Sequence, residues 1–135
     1  SRRQRQMCIR DRNKVLAICG DGGFLMNSQE LETAKRLNLD LVILILKDDS
    51  YGMIKWKQHK MKMENYALDY GNPDFVKYAE AYGLNGHEVN ENNSLESILQ
   101  KTLHEKGIHL ISCPIDYNSS DITLTHDLKN IMIES

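Results

Sequence analysis

Asp21 stands among three glycines in Cys19-Gly20-Asp21-Gly22-Gly23-Phe24, and 27 positions later Asp48 stands in Lys47-Asp48-Asp49-Ser50-Tyr51-Gly52. Glycines at 20, 22 and 23 let the backbone turn tightly and bring main-chain N–H groups up to phosphate oxygens without Cβ in the way. A helix following such a turn would point its N-terminal dipole at the same anion. Asp21, set between those glycines, would repel a phosphate, and a divalent cation resolves that conflict. Magnesium takes hard oxygen ligands in an octahedron, commonly one or two carboxylates plus phosphate oxygens. Asp48 is the second carboxylate and the main-chain oxygen of Ser50 a third donor. The pattern therefore reads as a place to hold a metal and a diphosphate together; the plainer alternative is an acid that ends a strand in a tight turn.

The elements around these acids decide whether they can meet. Lys14 to Ile18 is a short apolar run closed by Gly20, and Leu39 to Leu46 (LDLVILIL) is the strongest strand signal in the chain; both suit parallel strands buried on two faces. Asn27 or Ser28 is positioned to cap a helix with Leu31, Ala34 and Leu37 at helical spacing and Glu30 and Glu32 in its first turns. Two parallel strands joined by a helix form a right-handed unit whose carboxyl ends share one sheet edge, so Asp21 and Asp48 are expected in one crevice. Downstream, Tyr51 to Gln58 reads as a short helix. Lys60 to Gly71 is polar, aromatic and aperiodic, a candidate active-site loop. Asn72-Pro73 reads as opening a helix that Gly83 ends, Gly86 to Val89 as a short strand, Ser94 as the cap of a helix closed at Gly107, and Ile108 to Cys113 as a last strand stopped by Pro114. The alternation implies an α/β fold: an open, mainly parallel sheet with helices on both faces.

Composition narrows the function classes. With 135 residues, 41% of them hydrophobic, the chain has the length and the apolar content of about one globular domain. The net charge of −2 conceals an asymmetry: the first twelve residues hold five arginines against one aspartate, leaving twelve basic and eighteen acidic residues elsewhere. An acidic body argues against a nucleic-acid surface. No apolar run reaches the roughly 18 to 20 residues of a membrane span. Cys8, Cys19 and Cys113 are odd in number and lack CxxC spacing, so no disulfide framework or zinc site is signalled, and a reducing cytoplasm is the expected setting. Met7-Cys8-Ile9-Arg10-Asp11-Arg12 reads as the in-frame translation of a sequencing-library adapter, and residues 1–12 are expected to be a non-native tail, with a genuine basic arm as the alternative. The domain is then expected over 13–117, N-terminally truncated, with a weakly patterned tail over 118–135. The five histidines show no ligand spacing and are expected to be structural or exposed.

Gly20-Asp21-Gly22 with Asp48 downstream is similar to the GDG…N signature of thiamine-diphosphate-dependent enzymes. The ordered segments GGFLMNSQELETAKRL, LVILIL, YGMIKWKQ, GNPDFVKYAEAYG and PIDY resemble the C-terminal cofactor-binding domain of acetolactate synthase catalytic subunits. The resemblance runs from about Asn13 to Tyr117. It implies that Asp21 and Asp48 bind Mg2+ through their side chains and Ser50 through its carbonyl. Gly20, Gly22, Gly23, Tyr51, Gly52 and Met53 would join them around thiamine diphosphate, with Met53 and Trp56 walling the substrate pocket; ordinary packing is the alternative for the last two. Asn is the commoner family residue at position 48, and the Asp here resembles the FAD-independent, catabolic type; Lys47 departs from the pattern. The implied reaction condenses two pyruvates to 2-acetolactate with loss of CO2, in branched-chain amino acid biosynthesis or its catabolic counterpart. The implied assembly is a homodimer or homotetramer with the active site at a subunit interface. No catalytic residue is expected in this chain, because the activating glutamate belongs to another domain; FAD is possible in the parent but not indicated here. Rival readings are a related 2-oxoacid enzyme, such as a pyruvate oxidase or decarboxylase, and a non-catalytic phosphate-binding α/β module.

Overall fold

The computed structural model describes residues 14–64 and 66–116. The expected tails at 1–12 and 118–135, and Tyr117 of the PIDY segment, lie outside them. Four strands, β1 (Val15–Gly20), β2 (Leu41–Lys47), β3 (Asn85–Glu88) and β4 (Ile108–Pro114), form one parallel sheet in the order β1-β2-β4-β3. Five helices accompany them: α1 (Asp21–Met26), α2 (Glu30–Arg36), α3 (Gly52–Lys60), α4 (Phe75–Ala81) and α5 (Leu95–His104). Among the described residues no helix is long and apolar enough to cross a membrane.

Alternation along the central strands sends side chains to two cores. Ile43, Ile45 and Leu110 pack with Phe24, Leu31, Phe75 and Ala79 on one face; Val42, Leu44, Ile111 and Cys113 pack with Ile98 on the other. Helices therefore cover both faces, as the apolar runs of β2 and β4 require. Ile45, Ile111 and Leu110 are at most 1% exposed, and full burial of each such side chain contributes about 1.5–3 kcal/mol. On β1, Leu16 and Ile18 lie beside Val42 and Leu44 by register yet stay exposed, at 38% and 61%.

Four expected boundaries move, three of them for a visible reason. A helix forms at Asp21 itself despite two glycines that each disfavour it by about 1 kcal/mol. Burial of Phe24 overrides that preference, its ring meeting Phe75 edge-on at 5.6 Å and Tyr78 at 6.1 Å. Asn27 then ends this first helix instead of capping the second, and the Ser28 hydroxyl accepts a hydrogen bond from the Tyr78 hydroxyl at 2.9 Å, so α2 starts at Glu30 without a side-chain cap. Pro73 does not occupy the first position of α4. Asp74 is the cap, its Oδ1 accepting from the N–H groups of Val76 and Lys77 at 3.1 Å each. Ser94 caps α5 as expected, accepting from Ser97 N–H, and Gly83 takes the positive φ of 68° that ends α4, whereas α5 already stops at His104 with Glu105 extended, and Gly107, at φ 93°, turns the chain into β4.

Two features of β3 give measurable consequences. A Cβ on Gly86 would lie 2.7 Å from the Cα and carbonyl oxygen of Val76, so β3 reaches α4 only through a glycine. Gly86→Ala is expected to destabilise the domain by about 1–3 kcal/mol in urea unfolding. His87 Nε2 lies 3.1 Å from Nδ1 of the buried His109, whose Nε2–H is directed to the Lys106 carbonyl, and the two rings stack. Burial pushes both imidazoles below the ordinary histidine value; Lys101 lowers both further, His109 also lowers His87 and Lys14 also lowers His109, while Glu105 opposes the shift in each. Below the reference value of about 6.5 the unfolded chain therefore takes up protons that the folded chain resists. Stability is expected to be full above that pH and to fall as pH drops below it; a flat profile by chemical denaturation, or an unchanged slope in His87→Gln, would contradict this.

Candidate active site

The register pairs Gly20 with Leu46, so the chain leaves β1 and β2 at the same carboxyl edge and the acids that follow are brought together. Asp21 is only 2% exposed. Its Oδ1 accepts from Gly22 N–H at 2.8 Å and the Tyr70 hydroxyl at 2.8 Å. Its Oδ2 accepts from Asp48 N–H at 3.2 Å, Asp49 N–H at 2.9 Å and Asn72 Nδ2 at 2.5 Å. Two of these donors come from the β2 exit loop, so Asp21 binds the two strand ends to each other.

The remaining two side-chain donors arrive on the irregular segment after α3. Tyr51 N–H donates to Leu68 carbonyl at 2.9 Å, Tyr70 N–H donates to Asp49 carbonyl at 3.1 Å, and Ser50 bridges Asp69 in antiparallel fashion. Lys55 closes the contact with an ion pair to Asp69 at 2.9 Å. Residues 68–72 thus run as a strap along residues 49–51. The strap lays the Tyr70 ring against Tyr51, centroids 4.8 Å apart, and sets Asn72 between Asp21 and Asp49, whose Oδ1 accepts from Asn72 Nδ2 at 2.8 Å.

Electrostatics differ sharply between the two acids. Burial acts to raise the Asp21 carboxyl, but the donors Tyr70, Asn72, Gly22 and Asp49 outweigh it and hold the group below the usual carboxylate range. Asp48 moves the other way: burial, reinforced by the charge of Asp21, raises it against the two hydrogen bonds from Ser50. Tyr70 is pushed well above the ordinary phenol value by burial and by its bond to Asp21. Lys47, the residue that departs from the family pattern, points its ammonium at Asp49, 3.8 Å away.

These groups open on a cleft of about 200 Å³. Gly20 to Gly23 form one wall, Ser50 to Ile54 the other, with Leu46 and Asp48 between them. Every residue expected to bind cofactor therefore faces one cavity. Trp56 does not line it; it sits further along α3 with the Lys60 ammonium 4.1 Å from its ring centroid. Leu46, Ile54, Tyr70 and Asn72 were not expected at the site, although the aperiodic aromatic run Lys60 to Gly71 carried a signal for the strap. The glycines divide by role. A Cβ at Gly22 would meet Tyr51 Cε1 and Tyr70 Oη, each at 2.8 Å, whereas one at Gly20 or Gly23 would meet nothing within 4 Å.

The donor chemistry suits a magnesium ion: two carboxylates and the Ser50 carbonyl are hard oxygens. Among the described residues no group of three or more Asp, Glu, His or Cys side chains is gathered for a metal, so a cation here would depend on main-chain oxygen. The Asn72 Oδ1 atom, buried beside the acids, has no hydrogen-bond partner.

Residues 5–113 match the family described as thiamine pyrophosphate enzyme, C-terminal TPP binding domain. The chain belongs to that family. The domain is 38% identical over 119 residues to the acetolactate synthase of Bacillus subtilis, covering 88% of this chain and 21% of that protein. It is 33% identical over 116 residues to the catabolic acetolactate synthase of Raoultella terrigena, covering 86% and 21%. Against the large subunit of acetolactate synthase isozyme 2 of Escherichia coli the identity is 36% over 109 residues, covering 79% and 20%. This TPP-binding domain thus spans about a fifth of the relatives it matches. The benzoylformate decarboxylase of Polynucleobacter necessarius shares the fold, with a TM-score of 0.72 at 23% identity over 82% of this chain and 21% of that one.

The division among the glycines is testable without any ligand. Gly22→Ala is expected to cost about 1–3 kcal/mol by crowding the Tyr51 ring and the Tyr70 hydroxyl. Gly23→Ala, in a helix and facing open space, is expected to be neutral or stabilising by up to about 1 kcal/mol. Equal losses for both in urea unfolding would show that the two tyrosines are not what requires Gly22.

Proposed function

We propose that this chain is the thiamine-diphosphate- and magnesium-binding part of an acetolactate synthase, which condenses two pyruvates to 2-acetolactate with release of CO2. The reading is carried by one observation: in a TPP-binding domain, Asp21, Asp48 and Ser50 line a single cleft together with Gly20 and Gly23, whose Cβ positions are empty. The names of the relatives at 33–38% identity support the choice of reaction.

Each residue has a defined task in this reading. Asp21, Asp48 and the Ser50 carbonyl hold the cation, which removes the repulsion between the two carboxylates and neutralises the diphosphate. Gly20 and Gly23 leave room for phosphate oxygens to approach the backbone. Met53 and Ile54 give the cleft an apolar side. Bound there, thiamine diphosphate supplies the electron sink for decarboxylating a 2-oxoacid. The glutamate that activates it and most of the pocket belong to the rest of the parent protein, which acts as a homodimer or homotetramer with its active site between subunits, in a reducing cytoplasm.

The test is a product assay on the full-length parent with pyruvate. 2-Acetolactate is expected; acetaldehyde or acetyl phosphate as the main product would overturn the assignment. In that parent, Asp48→Ala is expected to reduce kcat/KM by at least about 100-fold, while Asp48→Asn, which keeps a side-chain oxygen, retains most of it. The present chain alone is expected to form no 2-acetolactate, and turnover by it would contradict the assignment of the activating group to another domain.

A further inference from the structure

The Asp21 carboxylate offers about four lone-pair sites, and the protein already fills them with five donors. A cation held by Asp21 has to take the place of one of these. Three of them, the N–H groups of Gly22, Asp48 and Asp49, are fixed in the chain that builds the edge of the sheet. The other two, Tyr70 and Asn72, are side chains on the strap and can leave by rotation.

Tyr70 occupies the more telling position. Its hydroxyl oxygen is 2.8 Å from Asp21 Oδ1 and 3.5 Å from the Ser50 carbonyl oxygen, so it touches two of the three groups assigned above to the cation. One hydroxyl proton cannot serve both, and the shorter contact takes it. Magnesium sits roughly 2.0–2.1 Å from its ligands, so an ion shared by Asp21 and Ser50 and the Tyr70 hydroxyl compete for one space. Asn72 stands beside it with Nδ2 on Asp21 and Asp49 and with Oδ1 buried and unpartnered, an arrangement that leaves one of its two polar ends unsatisfied.

We propose that the Tyr70 hydroxyl, supported by Asn72, is a built-in plug that fills the cation position in the metal-free protein and is exchanged for the divalent cation when it binds. The proposal rests on the reading of Asp21, Asp48 and Ser50 as the cation site. Tyr70 is then a positioning residue: it keeps the carboxylate aligned and partnered while no ion is present, and it sets how much of the ion's binding energy is consumed in the exchange.

The experiment is a Mn2+ titration of the 135-residue chain without thiamine diphosphate, followed by the EPR signal of free Mn2+, on the wild type, Tyr70→Phe, Asn72→Ala and Asp48→Ala. Phe keeps the ring packed on Tyr51 and deletes only the hydroxyl. Tyr70→Phe is expected to bind Mn2+ about tenfold more tightly, the equilibrium weight of one hydrogen bond to a charged group. Asn72→Ala is expected to move in the same direction, which keeps the proposal open to refutation if one variant fails to fold. In the wild type, the Tyr70 ring 13Cζ resonance, identified by its loss in Tyr70→Phe, is expected to shift when diamagnetic Mg2+ is added. Unchanged or weaker Mn2+ binding in Tyr70→Phe and Asn72→Ala, or a Tyr70 resonance indifferent to Mg2+, would overturn the plug. If Asp48→Ala still loses Mn2+ binding in that case, the cation site stands and only the plug falls. A wild-type chain that takes up no Mn2+ overturns both.

Discussion

A carboxylate removed from water costs several kcal/mol unless donors meet its oxygens, and Asp21 is almost wholly removed from water. The structure answers with donors from three separate parts of the chain: the start of α1, the loop leaving β2, and the strap that follows α3. Only the first of these is regular structure. All three donate to the same side chain, so the carboxyl edge of the sheet is organised around one negative charge. Loss of that charge would take from the β2 exit loop and the strap the acceptor they share.

The topology makes this convergence possible and sets its polarity. In a parallel sheet the chain must leave successive strands at one edge, and β1 and β2 are neighbours in register from Val15↔Leu41 to Gly20↔Leu46. The doubly buried β2, wedged between β1 and β4, fixes that register, because a slip by one residue would turn Ile43 and Ile45 away from Phe24 and Phe75. The core thus acts on the site through register: it determines that Asp21 and Asp48 stand side by side. Hydrogen-bond donors hold the Asp21 carboxyl low while burial raises that of Asp48, with the neighbouring Asp21 charge adding to the rise, and a bound cation would relieve that repulsion.

The order of elements, the pairing of the two acids and the cleft they share were legible in the sequence because they rest on long apolar runs and on glycines at defined places. Ser94 and Gly83 were legible for a related reason: a cap or a positive φ at a helix end favours a particular residue type. The helix at Asp21 was not, since Gly22 and Gly23 argue against it locally and the decisive contribution is Phe24 packing on Phe75 and Tyr78, 51 and 54 positions away. Ser28 looks like a cap until its hydroxyl is seen to accept from Tyr78. Tyr70 and Asn72 belong to a segment without period, and only its aromatic and polar content marked it for the site; that they grip Asp21 follows from long-range backbone pairing that no local pattern encodes.

In the proposed function, the edge built around Asp21 holds thiamine diphosphate through a divalent cation. Isothermal titration of the chain with thiamine diphosphate, in the presence of Mg2+ and again in EDTA, tests it most directly. The account predicts saturable binding with Mg2+ and its loss in EDTA. Cofactor binding of equal strength in both conditions, or none in either, would contradict it.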